Sequence, residues 1–93
     1  MAGWTHISST QLSANGDVFG GAAHIKSIYA AHSGTAGTVV LRTGGSTGTA
    51  VCTMNTAAVL GEYQSDIPYP GIKCSNPHIT IGGGVSFVTV FYD

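Results

Sequence analysis

Apolar and polar residues alternate with a period of two along most of the chain, and clusters of Gly and Ser interrupt the alternation. That pattern predicts short β-strands joined by turns and gives almost no sign of helix. The first strand is expected near Trp4–Ser13, with Trp4, His6, Ser8 and Thr10 on one side and Thr5, Ile7, Ser9 and Gln11 on the other. Ala14-Asn15-Gly16-Asp17 reads as a turn, because Asn-Gly supplies positive φ at little cost. A strand at His24–His32 follows, then a loop at Ser33–Gly37. The strand Thr38–Thr43, the loop Gly44–Gly48 and the returning strand Thr49–Thr56 form the clearest hairpin. Leu60–Asp66 is a further short strand. Pro68 and Pro70 mark a connection, since proline removes ladder donors. Ile72–Ser75 and His78–Ile81 flank Asn76-Pro77, Gly82-Gly83-Gly84 reads as a turn, and Val85–Tyr92 is the final strand.

The final strand is apolar on both sides. Val85, Phe87, Thr89 and Phe91 share one face under strict alternation, and Ser86, Val88, Val90 and Tyr92 share the other. A strand with one wet face alternates more cleanly than this. Bulk assigns Phe87 and Phe91 to the core. Val88, Val90 and Tyr92 are then left to be covered by a neighbouring subunit or by Trp4 from the N-terminal segment. This makes Val88, Val90, Tyr92 and Trp4 the expected interface residues, with about 1.5–3 kcal/mol at stake for each large apolar side chain buried.

Composition sharpens that expectation. Only three basic residues (Lys26, Arg42, Lys73) and four acidic ones (Asp17, Glu62, Asp66, Asp93) occur in 93 residues, which is 8% charged, against about 25% in ordinary proteins. Three scattered cations make no nucleic-acid footprint, and no apolar run approaches the ~18–20 residues of a spanning helix. The chain is therefore expected to be soluble, made in a cytoplasm, and without nucleic-acid or membrane partners. A surface of Ser, Thr, Asn and Gly repels its own copies weakly. A single domain of this length also has a thin core that gains from an oligomer partner.

Residues able to carry chemistry are sparse. The four histidines are His6, His24, His32 and His78. His24 and His32, on one strand face, stand roughly 27 Å apart at about 3.3 Å per residue, too far to share a metal. Glu62 and Asp66 are separated by about 13 Å by the same measure, beyond the window of a glycosidase pair. Gly45-Ser46-Thr47-Gly48 is too short for a nucleophile elbow. Gly82-Gly83-Gly84 leads into a strand and not into a helix that would bind phosphate. Cys52 and Cys74 have neither CxxC nor metal spacing and read as two reduced thiols. No enzyme activity, cofactor or metal is expected. Tyr69, held between two prolines, and Trp4 are the aromatic residues best placed to stack on a sugar.

The segments Ile25-Lys26-Ser27-Ile28-Tyr29, Ser33–Arg42 and Gly45–Met54, with Asp66-Ile67-Pro68, Gly71-Ile72 and Val88–Tyr92 later on, resemble small all-β virion accessory proteins of tailed bacteriophages, including marine phages and cyanophages. The resemblance covers roughly residues 24–92. It implies a capsid decoration or cement protein, or a fibre attachment, located in the virion. It supplies no binding residue. Residues 1–23 lie outside it and suit an extended N-terminal strand or arm. The expectation is one all-β domain over residues 1–93: an antiparallel β-sandwich of about eight short strands, with the jelly roll as one form of it. Its role would be structural, as a dimer or trimer bound to the major capsid protein. The alternatives are a carbohydrate- or receptor-binding module, which would contact a host surface glycan through Tyr69 and Trp4, and a tail or neck component.

Overall fold

A computed structural model describes residues 7–68 and 70–93. Every regular element in it is a strand: β1 (Ser8–Leu12), β2 (Gly16–Asp17), β3 (Ala22–Thr43), β4 (Thr49–Thr56), β5 (Gly61–Asp66), β6 (Ile72–Ser75) and β7 (His78–Tyr92). All seven belong to one antiparallel sheet that does not close into a barrel. β3 and β7 form its spine and pair with each other from Ile25–Tyr92 at one end to Arg42–His78 at the other. β6, β5 and β4 line the far edge of β3 in turn, and β1 and β2 line the far edge of β7.

The length of β3 requires it to bend. Its 22 residues would reach about 70 Å if straight at ~3.3 Å per residue, whereas the longest dimension of the molecule is 41 Å. The bend falls where the sequence predicted two loops, at Ser33–Gly37 and Gly82–Gly84. These segments lie against each other, with Gly37 opposite Gly83 and Thr38 opposite Gly82. A Cβ on Gly37 would stand 2.5 Å from the Gly82 carbonyl oxygen, and one on Gly84 would collide with the Thr35 carbonyl. Glycine is needed here because two bent backbones touch. The expected pairs of short strands are thus two continuous strands, and the sheet doubles over at their shared corner.

The doubled sheet has two leaves. In the first, Ala22–His32 pairs with Val85–Tyr92; in the second, Gly37–Thr43 pairs with His78–Gly83. One apolar cluster takes residues from both, including Ile28, Ala30, Val88 and Val90 from the first and Val39, Leu41 and Ile79 from the second. The open ends are tied opposite the corner. Ser75, paired with Ala22 at the start of β3, accepts a 2.7 Å hydrogen bond from the Gly44 amide just past its end. The Asn76 amide donates to the Gly21 carbonyl (2.8 Å), and the Gly45 amide donates to the Asn76 carbonyl (3.0 Å). Asn76 sits at φ 49°, a left-handed conformation that asparagine tolerates better than most residues.

The predicted β3–β4 hairpin is present, with Thr43 opposite Thr49 across Gly44–Gly48. The expected all-β antiparallel class holds, as one seven-strand sheet; the described residues show no second sheet of the kind a sandwich pairs with the first.

Candidate interaction surface

The final strand corrects the sequence reading. Val88 and Val90 are 0% exposed and lie in the chain's own core, while Phe87 and Phe91 are half-buried on the outside. The phase changes at a β-bulge: Ala31 opposes Phe87 but His32 opposes Val85, so Ser86 is the extra residue and Val85 shares the core side with Val88 and Val90. That bulge relocates only Val85; the core face was misassigned by bulk, because the space between two leaves of one folded sheet is filled by aliphatic side chains. The phenyl rings lie beside small neighbours instead, Phe91 between Ser27 and Ser9 and Phe87 next to Ala31. Tyr92 packs against the edge of the core, its ring 5.5 Å from that of Phe19. Trp4 and Tyr69, together with His6, lie outside the described residues.

The outward face of the first leaf is the surface this phase creates. Directly paired residues share a face, so three rows can be read across it: Glu62–Ala31–Phe87, Gln64–Tyr29–Thr89–Gln11 and Asp66–Ser27–Phe91–Ser9. Three aromatic rings are thus set among hydroxyl, amide and carboxylate groups. Tyr29 and Phe87 are in tilted contact at 6.3 Å. The polar groups hold one another in place: Ser27 Oγ donates to Asp66 Oδ1 (3.0 Å), and Gln64 Nε2 donates to both Ser27 Oγ and Asp66 Oδ1 (3.2 Å each). The Tyr29 hydroxyl donates to the Glu62 carboxylate. That bond, with lesser contributions from desolvation and from the nearby negative charge, raises the phenol above its ordinary value of 10.0.

A second surface lies at the corner. Ala57-Ala58-Val59-Leu60, between β4 and β5, is exposed throughout, with Leu60 at 85%. The buried His32 anchors this tip, its Nδ1 lying 2.6 Å from the Val59 carbonyl oxygen. A carbonyl only accepts, so Nδ1 carries the proton. Shallow grooves flank the tip. One of about 330 Å³ reaches Asn55 and Tyr63, and one of about 500 Å³ reaches Ser86 and Phe87.

The remaining chemistry is dispersed. His78 Nδ1 lies 2.9 Å from Asp17 Oδ1, at the end of the molecule away from the corner. Among the described residues, no three His, Cys, Asp or Glu side chains gather as metal ligands would. Cys52 and Cys74 are free thiols; Cys74 is buried, which raises its thiol above the ordinary value. No helix among the described residues is long and apolar enough to cross a membrane.

The sequence reading missed Phe87 and Phe91 as surface residues because it chose the core face of the last strand by bulk; the bulge at Ser86 moves only Val85 to the side of Val88 and Val90. The available signal was Thr89, which sits on the face of Phe87 and Phe91 while the Val88–Val90 face is aliphatic. No family model, curated protein or solved structure matches the chain.

Proposed function

We propose that this chain is a non-enzymatic structural protein of a bacteriophage virion, a capsid decoration or cement module that works as an oligomer. The observation that carries the reading is exposed apolar surface on a chain nearly without charge. Val59 and Leu60 stand in solvent at the tip, and Phe19, Val51 and Tyr63 are exposed elsewhere, while seven charged side chains serve the whole molecule. Such patches mark contact sites. The phage-like pattern of residues 24–92 and the doubled sheet, which acts as a sandwich made from one piece, support the same reading. A cement protein works by multiplicity: many copies bridge neighbouring capsid subunits, so each contact can be modest. The partners are the chain itself and the major capsid protein.

Quantifying the protein in purified particles tests this. Copies in proportion to the major capsid protein are expected. A small symmetric set restricted to the tail or neck moves the protein there, and absence from particles overturns the reading.

One observation favours a saccharide-binding alternative, namely the aromatic and amide side chains sharing the outer face of the first leaf. Titration with host surface polysaccharide tests it. Binding lost in Tyr29→Ala and Phe91→Ala, with the far-UV spectrum unchanged, would place a glycan on this face. Absence of binding by the wild type removes the alternative.

A further inference from the structure

The strands at the rim of the sheet differ in what they offer a neighbour. An edge strand presents unpaired amides and carbonyls, and proteins usually protect it with charge, proline or shortness. β5 carries Glu62 and Asp66 and runs into Pro68 and Pro70, β6 has four residues including Lys73, and β2 has only two. β1 is uncharged but has five residues. β4 has eight, Thr49–Thr56, with no charge and no proline; a bulge at Val51, between the Arg42–Ala50 and Leu41–Cys52 pairs, interrupts it near its start and leaves Cys52–Thr56 regular, and among the described residues it pairs only with β3.

We propose that β4 is a self-pairing edge, through which two copies join antiparallel and extend both sheets into one. The chemistry of the edge calls for an extended strand. The absence of charge selects a second copy as its source. In a two-fold antiparallel pair each residue faces a residue of the same strand, so any charge on that strand meets its own kind. Centred on Gln64, β5 would set Glu62 against Asp66, two carboxylates face to face, which is unfavourable. No register of β4 on itself creates such a clash. The proposal rests on the reading of the chain as a self-associating module and specifies its contact.

Light scattering over a concentration series tests it, using wild type, Thr53→Lys and Thr53→Glu, with circular dichroism confirming the fold of each. Thr53 is exposed. The wild type is expected to dimerise, and each charged variant to dissociate at a concentration at least tenfold higher. An equal mixture of the two variants should recover a dimer that weakens as salt is added. If charge at Thr53 unfolds the chain, the same two substitutions at exposed Asn55 repeat the test. A monomeric wild type, or charged variants that dimerise as tightly as wild type, overturns the proposal. So does a mixture that associates no better than its components, since β4 would then face a different surface. None of these results changes the copy number in particles, so the edge can fail while the virion assignment stands.

Discussion

The chain has two glycine-rich regions that look alike in sequence and do opposite things. Gly44–Gly48 ends a strand and reverses it, giving the β3–β4 hairpin. Ser33–Gly37 and Gly82–Gly84 end nothing, because β3 and β7 run through them and bend; their ladder breaks after the His32–Val85 pair, where Ser33–Ala36 lie against Gly84, and resumes at Gly37–Gly83. In the hairpin loop Gly45, at φ 86°, has open space where a Cβ would go, so backbone conformation is what it supplies. At the corner Gly37 and Gly84 lack positive φ but have another backbone where a Cβ would go. Glycine thus meets a different need in each place: a left-handed backbone at Gly45 and room for a touching backbone at Gly37 and Gly84. Whether the chain turns at a run of glycines depends on whether a second run lies opposite it.

Four measurements break or sharpen that distinction. The largest effect is expected at the corner. Gly84→Ala and Gly37→Ala drive a methyl into a neighbouring backbone, and each should cost about 3 kcal/mol or more in chemical denaturation, or prevent folding. A loss below about 1 kcal/mol would mean the corner opens freely, as a loop does. In the hairpin loop, Gly45→Ala should cost about 1–2 kcal/mol, the penalty of a left-handed residue with no steric clash. Gly34 has open space and no positive φ, so Gly34→Ala should stabilise by about 0.4–1 kcal/mol through the unfolded chain. Destabilisation there would show that the corner is tighter than its geometry indicates.

The smallest effect is spectroscopic and reports the straight stretch just before the bend. Tyr29 and Glu62 meet only if β5 keeps its register on β3. Because the folded-state phenol is raised, its contact with Glu62 is present below the ordinary tyrosine range and is lost as pH rises through the folded value. Ultraviolet titration should show a tyrosine ionising above 10.0, and Glu62→Gln should bring it back toward that value. No change in Glu62→Gln would place the β5 register in error.

Much of this fold could be read from alternation alone. The hairpin and the short strands Ile72–Ser75 and Gly61–Asp66, the latter expected as Leu60–Asp66, all follow from period-two patterning bounded by turn residues. Two features could not. The continuity of β3 and β7 depends on glycines some 46 residues apart meeting, as Gly37 meets Gly83, and no local pattern encodes that. The choice of inward face in β7 depends on what fills the space between the leaves: aliphatic Val88 and Val90 go inward and Phe87 and Phe91 outward, and with them the surface available to a partner. Alternation says which residues share a face, but only up to the next bulge.

The pairing of β7 along both its edges also sets an order of events during synthesis. Its last residues, Val88–Tyr92, are held by β1 on one side and β3 on the other, and all three segments wait on the latest of them to be made. A ribosome that has released the chain only through β6 has exposed the β3–β4 hairpin and the valine and isoleucine side of β3, with nothing to cover it. Folding is thus gated by emergence of β7, and until then the long edge of β3 that β7 will occupy, from Ile25 to Arg42, is open to premature pairing. Pairings of such wide sequence separation are slow to form, so the window is set by translation and by chain search together.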